Sequence, residues 1–193
     1  MPSPPVYLDH AATTPVRAEV LEAMLPFLGP TAFGNPASAH GFGRTARAGV
    51  EDARRKVAAA VGAEPSQVIF TSGGTEADNL AVVGASLAAG SAGRPMHAAV
   101  CSTDHKAVLA AAHAVVRLGG SESILPVDGR GILDLAALDR VLATRPAVVS
   151  VMWVNNEVGT IQPVEEIGRR CRAAGTMFHT DAVQAFGQLP VSL

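Results

Sequence analysis

Cysteine is scarce in this chain: Cys101 and Cys171 are the only two, far apart and in no CxxC pairing. That excludes a disulfide framework and a thiolate zinc site, and it predicts two buried thiols in a reducing compartment. Lysine is equally scarce, with Lys56 and Lys106 alone. No apolar run reaches membrane-spanning length. Met1 to Pro5 carry neither a basic n-region nor an apolar h-region, so no secretory signal is expected. An excess of one charge is also missing. The net charge of −2 gives no expectation of nucleic acid or an anionic membrane surface as partner. Arg44, Arg47, Arg54, Arg55 and Lys56 are interrupted by Glu51 and Asp52 and read as a solvated helix face. A cytoplasmic location is the expectation. What is present suits one well-packed domain: 193 residues, 48% hydrophobic and 17% charged.

The pattern alternates helix and strand. Ala46, Val50, Ala53, Val57 and Val61 recur at three- and four-residue steps, predicting a helix from about Gly43 that ends at Gly62. Val68 to Thr71 reads as a short apolar strand, Thr75 to Ala89 as a helix, Ala98 to Ser102 as a strand and His105 to Leu118 as a helix. Ser123 to Val127 reads as a strand, followed by the turn Asp128-Gly129-Arg130-Gly131 and a helix over Leu135 to Ala143. Ala147 to Val154 is the most hydrophobic strand. Pro163 opens a helix that Gly175 closes, with Glu165 and Glu166 complementing its dipole, and Met177 to Thr180 is the last strand. Strands separated by long helices predict an α/β fold of three layers, a mostly parallel sheet with helices on both faces. Residues 1–40, rich in Pro and Gly with one short helix over Val16 to Phe27, read as an N-terminal arm. Residues 41–193 read as the body.

Ligands of open α/β sheets collect at the carboxyl ends of the strands, and four such ends here are polar. Thr71-Ser72-Gly73-Gly74-Thr75-Glu76 combines a tight turn, free helix amides and a hydroxyl, which suits a phosphate; an ordinary Gly-rich turn capped by Thr75 explains it equally well. It is neither a GxxxxGK[ST] nor a GxGxxG loop. His105, in Thr103-Asp104-His105-Lys106, offers an imidazole for stacking or proton transfer, or is simply a polar helix start. Asn155-Asn156-Glu157-Val158-Gly159 offers amides to a ligand, or turn chemistry. Asp181, in His179-Thr180-Asp181-Ala182-Val183-Gln184, follows a buried strand and calls for a cationic partner. His179 and Asp181 alone do not make a metal site, since no other ligand cluster supports one. Together these features fit a flat, phosphorylated, cationic heterocycle, and pyridoxal 5'-phosphate has all three properties.

Six ordered segments carry a resemblance to a known family. Tyr7-Leu8-Asp9-His10-Ala11-Ala12-Thr13-Thr14-Pro15 resembles the opening arm of cysteine desulfurases, of the class V aminotransferase superfamily. Gly34-Asn35-Pro36-Ala37-Ser38-Ala39-His40, the Thr71 to Leu80 stretch, Asp104-His105-Lys106-Ala107-Val108-Leu109, Val154 to Gly159 and His179 to Gln184 are similar to further motifs of that family. Asp104 stands where the family commonly has Glu. The resemblance implies the large domain of a fold type I pyridoxal-phosphate transferase. It implies Gly74 and Thr75 on the cofactor phosphate, His105 over the ring and assisting proton transfer, Asp181 on the ring nitrogen, Gln184 on the phenolic oxygen, and Asn156 near that oxygen and the substrate carboxylate. Residues around Ala11 to Thr13 would close the substrate side. The implied reaction converts L-cysteine to L-alanine and passes sulfur to an enzyme persulfide, for iron–sulfur or thio-cofactor assembly.

The family's Schiff-base lysine lies in a Ser-x-His-Lys segment after the next strand, and the sequence ends at Val191-Ser192-Leu193 before it. Neither Lys56 nor Lys106 matches that position, and neither Cys101 nor Cys171 matches the persulfide cysteine. The small C-terminal domain and the last strands of the family sheet are also expected to be missing, leaving Val68 to Thr71 without its neighbour. The chain alone is therefore expected to be inactive. A homodimer or complementing chain would cover the open edges, and a sulfur-acceptor protein is a further implied partner. Two alternatives stand beside this reading: another class V enzyme of the selenocysteine lyase type, and a noncatalytic cofactor-binding or assembly subunit.

Overall fold

Small apolar residues spaced for helices and short β-branched runs between them produce the expected alternation. The computed structural model describes residues 5–191. Residues 1–4 and 192–193, which include most of the stretch read for a signal and the terminal Ser192-Leu193, lie outside the described residues. Contacts divide the chain into two units, one reaching to Phe70 and resuming at Pro190, the other Thr71–Leu189.

In the first unit, α1 spans Ala18–Leu28 and α2 spans Gly41–Val61. His40 caps α2, its Nδ1 accepting from the Gly43 amide at 3.3 Å. Gly62 ends α2 in the left-handed region at φ 70°, as its place after the periodic run predicts. The two helices meet closely at Gly49, where a Cβ would stand 2.4 Å from the Phe27 ring. Segment 68–70 is extended, but no strand pairs with it among the described residues, and Ile69 and Phe70 are exposed. The strand predicted from Val68 to Thr71 is therefore not formed. Its composition favours a strand, yet a strand exists only against a partner.

The second unit holds α3 (Gly74–Ser91), β1 (His97–Cys101), α4 (Lys106–Arg117), β2 (Ser121–Leu125), α5 (Leu135–Leu142), β3 (Val148–Ser150), α6 (Val164–Ala174) and β4 (Met177–His179). The four strands form one parallel sheet in the order β2-β1-β3-β4. Side-chain alternation splits its residues between two cores. Ala98, Val100 and Val148 join Val82, Val108, Ala111 and Val115 from α3 and α4. Ala99, Cys101, Val149 and Val151 join Leu138, Leu142, Ile167 and Cys171 from α5 and α6 on the opposite face. These are the three layers the sequence predicts. Each fully buried Leu or Ile contributes about 1.5–3 kcal/mol by leaving water.

The helix ends follow their sequence signals. Asp134 caps α5 by accepting from the Ala136 and Ala137 amides, at 2.8 and 3.1 Å. Gly175 closes α6 at φ 69°. Both cysteines are buried, and burial pushes the thiol of Cys101 up and that of Cys171 up to about 11. Among the described residues, no helix is long and apolar enough to cross a membrane.

Candidate functional site

Because the strands are parallel, the segments leaving β1, β3 and β4 emerge on one sheet edge, and α3 packs against the same strands. Gly74 and Thr75 open α3 and are exposed. Helix geometry leaves their amides without intrahelical acceptors. A Cβ on Gly74 would stand 3.7 Å from Val183 Cγ2, so the start of α3 lies beside the segment after β4. Not every part of Thr71 to Glu76 is available to a ligand. Ser72 gives both its amide and its hydroxyl to Glu76 Oε2, at 2.7 and 2.6 Å, and these bonds hold the Glu76 carboxyl below its ordinary range. Thr71 donates to the Gly73 carbonyl at 3.1 Å. The amides at the start of α3, those of Gly74 and Thr75 among them, are the donors of this loop that the helix itself does not use.

His105 is half-buried and caps α4, its Nδ1 accepting from the Ala107 amide at 3.2 Å. That bond makes Nδ1 an acceptor and leaves Nε2 as the nitrogen that carries hydrogen in the neutral ring. The two neighbouring asparagines differ. Asn155 donates to the Thr103 carbonyl at 2.8 Å and accepts from the Glu157 and Val158 amides, both at 2.9 Å, tying the loop after β3 to the loop after β1. Asn156, half-buried, takes no part in that tie. Gln184 is half-buried, in the short turn after Asp181.

Asp181 is 8% exposed, and its Oδ1 accepts from the Val183 amide at 2.9 Å. Among the described residues, no Lys or Arg stands within ion-pair distance of it. A buried carboxylate in that condition suits a cationic ligand, and the amides at the start of α3 suit an anionic group on the same ligand. Both features fit pyridoxal phosphate, a ring cation that carries a phosphate.

Two carboxylates of the region have no site role from sequence: Asp78, and Asp104, noted only as a departure from the resembled family's common Glu. Asp78, on α3, is 4% exposed, and burial together with the charge of Asp181 pushes it up to about 6. Its signal was present: Asp78 falls in register with Val82, Ala85, Ser86 and Ala89, the stripe that α3 buries. Asp104, 5% exposed, accepts from the Met152 amide at 2.5 Å and the Cys101 amide at 3.2 Å, joining the ends of β1 and β3. Burial pushes it up to about 7. The Asp104 carboxyl thus sits at a buried joint and not on a free loop. Both lysines are exposed, and Lys56 pairs with Asp52 at 2.7 Å.

The sequence profile of the family described as aminotransferase class-V matches residues 6–193. A cysteine desulfurase IscS of Anaeromyxobacter is 50% identical over 187 residues, which cover 96% of this chain and 46% of that protein. The cysteine desulfurase IscS of Dictyoglomus turgidum is 45% identical, with 97% and 47% covered. Among solved structures, a NifS-like protein superposes with a TM-score of 0.91 at 39% identity, covering 97% of this chain and 51% of that one. A structure described as SspA in complex with cysteine gives 0.87 at 34% identity, covering 96% and 53%. The chain spans about half the length of the curated relatives it matches.

Proposed function

This chain belongs to the class-V aminotransferase family, and from that premise we propose that it is the cofactor-binding portion of a pyridoxal-phosphate-dependent cysteine desulfurase. The observation that carries the proposal is Asp181: a buried carboxylate with no cationic partner among the described residues, on the sheet edge where α3 begins. The relatives named cysteine desulfurase support the substrate, L-cysteine, and the products, L-alanine and a sulfur atom passed on for iron–sulfur or thio-cofactor assembly.

When bound, the cofactor supplies an electron sink that loosens bonds at the substrate α-carbon. The residues of this chain bind and orient it. Gly74 and Thr75 donate backbone and hydroxyl hydrogens to its phosphate. Asp181 would pair with the ring nitrogen and so favour its protonated, cationic form. His105 would lie over the ring, and its Nε2, the nitrogen not engaged by the Ala107 amide, would exchange a proton with substrate. Gln184 hydrogen-bonds the phenolic oxygen, and Asn156 orients the substrate carboxylate. Cys101 and Cys171 are buried thiols with raised pKa, so neither serves as the sulfur-accepting thiolate. Lys56 and Lys106, both exposed, are not assigned as the covalent anchor. A cytoplasmic location, a homodimer or complementing chain, and a sulfur-acceptor protein complete the proposal.

The test is titration of the intact protein with pyridoxal phosphate, followed by intrinsic fluorescence and visible absorbance, for the wild type and Asp181→Ala. The expected outcome is saturable binding that the substitution weakens at least tenfold. Equal affinities in the two proteins would overturn the assignment of Asp181. Release of alanine from cysteine by the whole protein tests the reaction itself.

A further inference from the structure

Gln162 takes no part in the proposed reaction, yet it is only 4% exposed and its side chain is engaged at both ends. Its Oε1 accepts from the Leu133 amide at 3.0 Å, and its Nε2 donates to the Gly131 carbonyl at 2.6 Å. Only one orientation of the amide satisfies both groups, since a flip would set donor against donor and acceptor against acceptor. Ile132, between them, bonds to Asp128 through its own amide and carbonyl. The Gln162 side chain thus takes the place of a neighbouring strand along Gly131 to Leu133. Thr160 adds a third bond, its hydroxyl donating to the Arg130 carbonyl at 2.7 Å. A Cβ on Gly131, which lies in the left-handed region at φ 78°, would stand 2.9 Å from that hydroxyl oxygen.

These contacts hold one side of a closed loop. The Gln162 amide donates to the Trp153 carbonyl at 2.8 Å, Val154 and Ile161 bridge antiparallel, and the Asn155 amide donates to the Thr160 carbonyl at 2.9 Å. Asn156 sits at the bend. A two-stranded turn of this size is marginal alone in water, so its placement comes from its anchors. Asn155 ties it to Thr103, in the loop before His105. Thr160 and Gln162 tie it to the turn after β2. Leu133 is 3% exposed, so an apolar side chain at 162 would leave a buried amide without its acceptor. A cavity of about 440 Å³ beside Trp153, Gln162 and the first turn of α6 gives the loop room to shift when that bond is lost.

We propose that Gln162 and Thr160 are positioning residues: they clamp the 153–162 loop to the 128–133 turn and so set where Asn156 meets the ligand. The part played toward a ligand rests on the cofactor reading above; the clamp does not. An amide suits this task where a carboxylate, with no donor for Gly131, and an alkyl chain, with neither donor nor acceptor, do not. Gln162→Glu regains the pattern only when protonated, its O–H then donating to Gly131 and its carbonyl accepting from Leu133. Burial raises such a carboxyl above the ordinary value of about 4.3. That variant should therefore match the wild type in acid and lose the clamp as pH rises through the raised midpoint.

The experiment compares the intact wild type with Gln162→Leu, Thr160→Val, Asn156→Ala and the double variant Gln162→Leu/Asn156→Ala. Without ligand, amide exchange followed by NMR should speed up about tenfold or more at Leu133, Asn155 and Gly159 in Gln162→Leu, while the amides of β1 keep their wild-type rates. Thr160→Val, nearly isosteric, should give the same pattern at about threefold, and it decides the matter alone if Gln162→Leu does not fold. Unchanged exchange at Asn155 and Gly159 would overturn the clamp. Titration with pyridoxal phosphate, with and without L-cysteine, then tests the link to Asn156 through the fluorescence of Trp153, the one tryptophan of the chain. Gln162→Leu should weaken binding about fivefold or more when Asn156 is present and not at all when it is already alanine. An equal loss in both backgrounds would overturn the positioning role. If exchange responds as expected but Asn156→Ala leaves both titrations unchanged, the clamp stands and the reading of Asn156 falls.

Discussion

Replacing Asp104 with Asn tests whether a buried acid at the joint of β1 and β3 sets the stability of the protein against pH. In the folded protein this carboxyl lies at about 7, against 3.8 for an exposed aspartate. Its folded pKa is raised, so between those values the folded state holds a proton that the unfolded chain has released. Stability from this group is therefore lost as pH rises through the window and gained as pH falls. One proton corresponds to about 1.4 kcal/mol per pH unit, so between about pH 7 and pH 5 the wild type gains about 3 kcal/mol from Asp104 alone. The variant has no such titration. It also bears a constant penalty: one carboxylate oxygen becomes an NH2 that faces either the Met152 or the Cys101 amide, a lost bond costing about 1–3 kcal/mol. His97 and His179, both held low by burial, act in the opposite direction below their unfolded pKa, but they are common to both proteins and largely cancel in the difference. Urea unfolding of wild type and Asp104→Asn at a series of pH values should thus give curves that diverge as pH falls from about 7. Parallel curves would refute a buried, raised carboxyl at this position.

Two further outcomes are expected. Leu138→Ala, at a fully buried position between the sheet and α6, should lower the unfolding free energy by about 2–5 kcal/mol in the same assay, because the site cannot collapse around the missing carbons. Asn155→Ala and Asn156→Ala should separate cleanly. The first removes three hydrogen bonds, one tying two loops and two within the loop after β3, and lowers the thermal midpoint, while the second leaves the midpoint unchanged and weakens binding of pyridoxal phosphate or cysteine.

Much of the fold was legible because its signals are local. Gly62 and Gly175 stop their helices in left-handed geometry, Asp134 caps α5, and the small-residue periodicity gives α2, α3 and α4 within a few residues of their observed ends. The strands were less legible because pairing is not local. Ala147 to Val154 reads as one long strand, yet only Val148–Ser150 is laddered on both sides; beyond it, the Val151 and Trp153 amides still donate to the His179 and Asp181 carbonyls. Val68 to Thr71 has the composition of a strand but pairs with none among the described residues. At the candidate site, the residues named from sequence are those at strand ends and helix starts, where polar groups stand out. Asp78 was hidden inside a helix, and its burial depends on which face α3 turns to the sheet. Asp104 reads as a loop acid, and only the closure of β1 against β3 reveals the two amides that it accepts.

The strand order has a consequence for how the chain assembles. The central strand β1 pairs on one side with β2, which follows after a single helix, and on the other with β3, about twice as far along the sequence. Loop-closure entropy grows slowly with length, but contacts distant in sequence still form late. During synthesis β1, α4 and β2 can collapse together while the other side of β1 stays open, so its apolar edge is bare until Val148 and its neighbours emerge. The bond from Asn155 to the Thr103 carbonyl, which bridges the two loops above that pair, can close only afterwards. The sheet edge that carries Asp181 and the start of α3 is therefore completed late, and a slowed ribosome between β2 and β3 would leave the open side of β1 unpaired for longer.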